Sequence, residues 1–241
     1  MKKILKILLA PRHYNKLRMF AHRASRFFLI MGNALVNAFP VSWRVYLKNN
    51  LSVVKKMDYK EGDVFMDVSS PLEYRVRLHS CAKEPETIQW IQQFLCKGDI
   101  FFDIGANVGA YALVAAKHCA GDVKVYAFEP SFLNFSQLCK NIAINRFEDC
   151  VVAFNIALSN KTGVDIFNYQ NLIPGGALHA CGPAVDYKDQ PFQPVFRQAV
   201  LSYTMDDFIQ QFQLPMPHHI KLDVDGIERA VCEPAGARAG W

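Results

Sequence analysis

The chain has 241 residues, 51% hydrophobic and 20% charged, which is enough apolar material for one large domain and excludes a wholly disordered chain. Its seven cysteines form neither a CxxC pair nor a CxxC…HxxxH pattern, so the sequence predicts no metal site, no disulfide framework and a reducing, cytoplasmic compartment. The net charge of +5 is unevenly distributed, because residues 1–60 hold 13 Lys and Arg against one acidic residue, whereas residues 61–241 hold 14 against 21. We therefore predict a basic amphipathic N-terminal extension, residues 1–60, and a mildly acidic main domain, residues 61–241.

The extension begins with cations that alternate with apolar residues up to residue 26, followed by an apolar run over 27–41. That run is shorter and more polar than the about 20 apolar residues that a transmembrane helix needs. Two alternatives stay open: residues 1–41 contact an anionic membrane surface, which would place the protein at the inner membrane face, or they form a solvated helix that packs on the main domain. Charge without a recognition module does not predict nucleic acid as a partner.

The main domain shows apolar strands and helices in regular alternation. A short strand is predicted at 72–80 and a helix at 86–98. Further strands are predicted at 99–105, 123–129, 151–158 and 218–224, with helices at 107–120, 131–145 and 202–214. Because the strands are almost continuously apolar, we predict an α/β fold, a doubly wound and mostly parallel sheet with helices on both faces. The Pro- and Gly-rich connection 171–194 is expected to form a lid or an acceptor-side loop.

The first buried strand leads into a glycine-containing turn that has the features of a ligand site. Asp103 ends the strand, Gly105 and Gly109 follow, and a helix begins directly. Glycines allow a sharp bend and close approach of a ligand, and the helix N-terminus offers free N–H groups. Glu129 ends the next strand, where its carboxylate can accept hydrogen bonds from both ribose hydroxyls of a nucleoside cofactor.

Two alternatives compete with a nucleoside site of this type. In the first, the glycines only make a tight turn, and Glu129 only caps the helix that Pro130 starts. This alternative is disfavoured because burying the Asp103 charge without a ligand costs free energy. In the second, the cofactor is a dinucleotide and the protein an oxidoreductase. A dinucleotide-binding turn needs a second glycine two residues after Gly105, but Asn107 occupies this position, which disfavours a dinucleotide.

The string DIGANVG resembles the first motif of class I S-adenosylmethionine-dependent methyltransferases, and GDIFFDIGANVGAYALVAAK…VYAFEPSFLNFSQLCKNIAIN is similar to the FkbM family. The segments VVAFNIALSNKTG, YTMDDFI and IKLDVDGIE follow in the order that this family shows. The resemblance covers roughly residues 84–228. It implies a Rossmann-like fold, S-adenosylmethionine as cofactor, and methyl transfer, commonly to a hydroxyl of a sugar, glycan or small-molecule acceptor.

The resemblance also implies roles for individual residues. The turn would surround the methionine moiety of the cofactor, Glu129 and Pro130 would lie at the ribose, and Ala157 and Leu158 would flank the adenine. The turn residues concerned are Asp103, Gly105, Ala106, Asn107 and Gly109. A zwitterionic amino acid suits a carboxylate beside helix N-terminal amides.

Asp223 is the predicted catalytic residue, because it ends the fourth strand at the edge where open α/β sheets place reacting ligands. Transfer to a hydroxyl requires the protein to align the oxygen and to accept its proton, and a carboxylate can do both. His218 and His219 are nearby in sequence, and their roles stay open.

Family members continue after IKLDVDGIE with a helix and further strands, whereas this chain ends in CEPAGARAGW, which has no β-branched residue. We therefore expect the C-terminal strands to be missing and the fourth strand to be an exposed apolar edge. A second function accordingly stays open beside methyl transfer, namely an impaired remnant that binds only the cofactor or a membrane surface.

Overall fold

The computed structural model describes residues 31–32, 34–185, 188, 190–224 and 231, and the chain divides into two units between Ser52 and Val53. The described part of the first unit contains helix α1 (Val41–Asn50), in which no residue is buried. Residues 1–30, most of the segment predicted to contact a membrane, lie outside the described residues, so that contact stays a prediction. Among the described helices, none is long and apolar enough to cross a bilayer.

The second unit begins with a small antiparallel hairpin of β1 (Val54–Lys56) and β2 (Phe65–Asp67). Met57 and Tyr59, in the connection between these strands, are buried. Residues 53–60, which the sequence assigned to the extension, therefore belong to this unit.

The remaining elements follow in chain order. They are α2 (Pro71–Arg75), a 3₁₀ turn (Arg77–His79), α3 (Ser80–Lys83), α4 (Pro85–Phe94), β3 (Ile100–Ile104), α5 (Ala110–His118), β4 (Lys124–Phe128), α6 (Phe132–Asn145), β5 (Val151–Phe154), β6 (Ala157–Leu158), β7 (Gly163–Tyr169), β8 (Ala180–Cys181), β9 (Phe196–Tyr203), α7 (Met205–Phe212) and β10 (His219–Leu222).

A parallel sheet of order β10-β3-β4-β5 forms the centre of this unit. Side chains alternate between its faces, so Phe101 and Val125 pack with α4, α5 and α6, whereas Phe102 and Phe128 pack on the other side against Phe208 of α7. Burying a phenylalanine side chain contributes roughly 1.5–3 kcal/mol, so both faces stabilise the sheet. The predicted α/β, Rossmann-like fold with helices on both faces is confirmed.

The strand predicted at 72–80 is wrong, because this segment forms α2 and the 3₁₀ turn. Ser70 and Glu73 make a capping box: the Ser70 hydroxyl accepts the Glu73 N–H at 3.0 Å, and the Glu73 carboxylate accepts the Ser70 N–H at 2.8 Å. Pro71 occupies the first helical turn, where its fixed φ is favourable. These local bonds outweigh the apolar alternation on which the strand prediction depended.

The strand predicted at 151–158 is divided into β5 and β6, which belong to different sheets. Between them the Asn155 side chain donates to the carbonyls of Glu129, at 2.8 Å, and Pro130, at 3.1 Å. The helix predicted to begin at 202 begins at Met205, where the Thr204 hydroxyl accepts the Asp207 N–H at 3.1 Å, and residues 202–203 end strand β9.

A second sheet of order β6-β9-β7-β8, which the sequence did not predict, continues from the end of β5. Its strands β7 and β9 pair antiparallel from Gly163↔Ser202 to Tyr169↔Phe196. In the central sheet β10 pairs with β3, and among the described strands it has no other neighbour. Residues 225–230 and 232–241, which carry the predicted loss of C-terminal strands, lie outside the described residues.

Candidate active site

The carboxyl ends of the four central strands place the predicted site residues in a row. Asp223 follows β10, Gly105 follows β3, Glu129 follows β4, and Ile156 comes just after β5. Neighbouring strands lie about 4.8 Å apart, so the row crosses one edge of the sheet in the order of the strands. The row runs from charged residues at β10 to apolar residues at β5.

A cavity of about 440 Å³ lies along this row, which is within the range of small-molecule and cofactor sites. It brings together seven of the residues that the sequence singled out, namely Gly105, Asn107, Glu129, Pro130, Ala157, Leu158 and Asp223. The described lining does not include Asp103, Ala106 or Gly109, so the structure does not place these three predicted cofactor residues at the cavity.

Gly105 is fixed by close packing between β3 and the end of β10. Its φ is +79°, a left-handed value that favours glycine, and a Cβ there would overlap the carbonyl oxygen of Asp223. At Gly109, where φ is +89°, a Cβ would lie 2.5 Å from the Leu138 side chain. The two glycines therefore allow the turn to lie between its neighbours, and Gly105 brings the turn against Asp223.

Asp103 is a fully buried carboxylate behind the cavity wall. Its Oδ1 lies 3.2 Å from Nζ of Lys221, and its Oδ2 has no hydrogen-bond partner among the described residues. Burial raises the pKa of Asp103, although the Lys221 charge opposes this shift. Burial alone would lower the pKa of Lys221, but the charges of Asp103 and Asp223 outweigh it and raise this pKa.

Lys221 connects Asp103 to the predicted catalytic residue. Its ammonium lies 3.7 Å from Oδ2 of Asp223, and its side chain is 10% exposed, whereas that of Asp223 is 57% exposed. The sequence analysis missed Lys221. Alternation along β10 could have found it, because residues 221 and 223 lie on the same side of an extended strand.

Glu129 lies at the centre of the row with both carboxylate oxygens held by backbone groups. Oε2 accepts the N–H of Asn107 at 2.7 Å, and Oε1 accepts that of Ser131 at 2.9 Å. Burial raises the pKa of Glu129 to about 7, although these two hydrogen bonds oppose the shift. Each oxygen keeps a second lone pair, so the carboxylate can accept hydrogen bonds from two neighbouring hydroxyls.

Residues 174–176, which we call the anchored segment, cross over this turn. The Gly176 carbonyl accepts hydrogen bonds from the side-chain amides of Asn107, at 2.8 Å, and Asn134, at 3.0 Å. The Gly175 carbonyl accepts two from Arg77, at 2.9 and 2.7 Å. Part of the connection that the sequence described as a lid or loop is therefore tied to the cofactor turn.

The charged end of the cavity also contains residues that the sequence did not single out. Lys83 donates to Glu84 at 2.6 Å, and both line the cavity together with Arg77. Burial would raise the pKa of Glu84, but hydrogen bonds from Lys83 and Tyr111 outweigh it and lower this pKa. This end of the cavity therefore presents both charged donors and a charged acceptor.

His218 and His219 lie at the opposite edge of the sheet, where β10 begins. Nε2 of His219 is 3.1 Å from Asp99, and Nδ1 of His218 accepts the N–H of Ile100 at 2.9 Å. This end of the strands lies away from Asp223, so neither histidine takes part in the row.

The residues of the row fit S-adenosylmethionine. Glu129 can accept hydrogen bonds from a ribose diol. Asp103, which the resemblance placed beside the methionine moiety, is fully buried outside the cavity lining, and its carboxylate pairs with Lys221, so the structure does not offer it to the ammonium of the cofactor. A pyrophosphate fits poorly, because Asn107 fills the position where a dinucleotide site needs glycine and the Asn107 side chain bonds Gly176.

Comparisons with known proteins agree with these features. The model of the methyltransferase FkbM domain matches residues 103–241. The hexuronic acid methyltransferase AglP of Haloferax volcanii is 23% identical over 155 residues, which are 64% of this chain and 57% of the relative. The chain thus spans little more than half the length of this curated relative.

Solved structures also show local similarity. TYW2 of M. jannaschii in complex with AdoMet is 17% identical, with a TM-score of 0.33, over 43% of this chain and 42% of that chain. TYW2 of P. horikoshii in complex with MeSAdo is 23% identical, with a TM-score of 0.31, over 45% and 39%. The family model, by contrast, covers more than half of this chain.

Proposed function

The chain belongs to the FkbM methyltransferase family, and from this we propose that it transfers a methyl group from S-adenosylmethionine to a hydroxyl oxygen of a sugar, glycan or small metabolite. The family match confirms the predicted family and, with it, the predicted cofactor. One observation carries the proposal: the cavity joins Gly105, Asn107 and Glu129 to the carboxylate of Asp223 along one edge of the sheet.

The division of work along the row follows from the chemistry of each residue. When bound, the cofactor would supply a methyl group on a positively charged sulfur, and the sulfur would leave as a neutral thioether, which is an excellent leaving group. Asp223 then needs to hold the acceptor hydroxyl and take its proton, and its half-exposed carboxylate can do this from the cavity. Lys221 holds the Asp223 carboxylate from the side of the sheet, which limits the directions in which that side chain points.

The acceptor end of the cavity suits a molecule that carries several hydroxyls. Lys83 and Glu84 line it with a donor and an acceptor, and such side chains bind sugars through hydrogen bonds. A relative named as a hexuronic acid methyltransferase supports a sugar in this place. We therefore place a sugar or glycan first among the acceptor classes.

The experiment has two measurements on the purified chain. Calorimetry with S-adenosylhomocysteine measures cofactor binding, and transfer of a labelled methyl group to a panel of neutral hexoses, hexuronic acids and small alcohols measures turnover. Binding without transfer to any acceptor would contradict the proposal and favour the remnant that only binds cofactor.

The Asp223→Asn variant tests the catalytic assignment. We expect turnover to fall roughly 100-fold, because the amide cannot accept the proton, while binding of S-adenosylhomocysteine stays within about twofold. Asp206→Asn, at an exposed first-turn acid of α7, is the matched control and keeps full turnover. Equal turnover in the Asp223 variant and the control would remove Asp223 from the reaction.

A further inference from the structure

The end of the cavity over β5, which we call the apolar pocket, contains one buried histidine. The pocket is lined by Ile156, Ala157, Leu158, Phe167 and Cys181. His179 also lines the cavity there, three residues after the anchored segment, and only 9% of its surface is exposed. A polar side chain so deeply buried normally has a partner for each polar atom.

Two aromatic rings and one backbone hydrogen bond fix the orientation of His179. Its ring centroid lies 5.0 Å from that of Tyr169 and 5.7 Å from that of Phe167. Its Nδ1 accepts the N–H of Gln170 at 3.3 Å. A backbone N–H can only donate, so Nδ1 carries no proton and the single proton of the neutral ring is on Nε2. Burial lowers the pKa of His179 to about 4, so the ring is neutral at physiological pH.

The Nε2–H of His179 is the donor that the protein leaves unused. Among the described residues it has no hydrogen-bond partner, and His179 lines the cavity. A side chain at Gly176 would meet both Nε2 of His179, at 3.2 Å, and the side-chain oxygen of Asn171, at 2.8 Å, so Nε2 lies beside the anchored segment. A ligand with an acceptor atom at this place would gain a hydrogen bond from the unused N–H.

The order of the row identifies that ligand atom. With the ribose at Glu129, the base of the cofactor extends toward the next strand, β5, and therefore into the apolar pocket. Adenine is attached to ribose through N9, so its opposite edge, with ring nitrogen N1, enters first. N1 has a lone pair and no proton.

We propose that His179 is a specificity-determining residue whose Nε2–H donates a hydrogen bond to N1 of the cofactor's adenine. The inference rests on the proposed function only in requiring S-adenosylmethionine as the cofactor, and it is independent of the acceptor. Phe167 and Tyr169 hold the ring, and the Gln170 N–H sets its tautomer.

The test compares S-adenosylhomocysteine with S-(1-deazaadenosyl)homocysteine, in which a C–H replaces N1, by calorimetry on the full chain. We expect the wild type to bind the deaza compound about tenfold more weakly, which corresponds to one net hydrogen bond. In His179→Phe both compounds bind equally, at the weaker level. His179→Gln keeps an N–H donor and recovers part of the preference, and His79→Phe, at an exposed histidine, keeps all of it.

The outcomes separate this inference from the proposed function. Equal binding of the two compounds by the wild type would overturn the inference, whether or not the variants fold. An undiminished preference in a folded His179→Phe protein would overturn it as well. Failure of the wild type to bind S-adenosylhomocysteine would instead overturn the cofactor, and both proposals with it.

Discussion

Glu129 makes cofactor affinity depend on pH, and we expect S-adenosylhomocysteine to bind about tenfold more tightly at pH 8 than at pH 6. Burial raises the pKa of Glu129 to about 7, so the side chain changes its charge between these two values. Ribose hydroxyls donate hydrogen bonds, and an ionised carboxylate accepts them more strongly than a neutral one. Binding therefore favours the ionised form.

The magnitude follows from the fraction of molecules in that form. With a pKa of about 7, about one molecule in eleven is ionised at pH 6 and about ten in eleven at pH 8, a ratio of about ten. His179 adds nothing to this change, because burial lowers its pKa to about 4 and keeps it neutral throughout. Stability of the cofactor-free protein has the opposite sign. A raised carboxyl pKa favours the folded state when protonated, and this contribution is lost as the pH rises from about 4.5 through 7.

Calorimetry on the wild type, Glu129→Gln and Glu148→Gln at pH 6, 7 and 8 tests this reasoning. The ligand's own amine titrates equally in all three proteins, so only the difference between them reports on Glu129. We expect a flat profile and weak binding for Glu129→Gln, and a wild-type profile for Glu148→Gln, whose side chain is exposed. A slope that survives in Glu129→Gln would refute the assignment of the pH dependence to this carboxylate.

Two further predictions concern stability, measured by urea unfolding. Gly105→Ala should lower the free energy of unfolding by about 2–3 kcal/mol more than Gly121→Ala does. The backbone φ is near +80° at both glycines, but only at Gly105 would the added methyl group overlap the Asp223 carbonyl. Equal losses in the two variants would show that the structure relaxes to remove this overlap. Lys221→Met should cost roughly 3–5 kcal/mol, because it leaves the Asp103 charge buried and unpaired. Adding Asp103→Asn should restore part of that loss, and no recovery would mean that Lys221 stabilises the fold by packing alone.

The central sheet and the position of the row were predictable because local patterns determine them. Continuous apolar runs predict buried parallel strands, and Gly105, Glu129 and Asp223 each come at the end of such a run, so the sheet necessarily brings them to one edge. The capping box at Ser70 was also present as the sequence S-P-L-E, and applying that signal would have predicted α2 instead of a strand.

The apolar pocket was not predictable in this way, because it depends on contacts between distant segments. His179 follows a loop, and only the pairing of β7 with β8 and β9 brings it beside Phe167 and Tyr169. No local sequence period marks such a residue, because its burial depends on the pairing of β7 with β9, and these strands lie on either side of the long connection 171–194. The sequence could locate this connection but not the side chain that it delivers.

Asn107 shows how cofactor choice and loop position depend on the same side chain. Its φ is +52°, a left-handed value that Asn adopts more readily than most residues, and this turns its backbone N–H onto Glu129. Its side-chain amide then bonds the Gly176 carbonyl and holds the anchored segment over the turn. The glycine that a dinucleotide requires at this position would keep the backbone turn but release that contact. The residue that opposes pyrophosphate binding therefore also helps to hold the segment that leads to His179, so the two ends of the nucleoside site are built together.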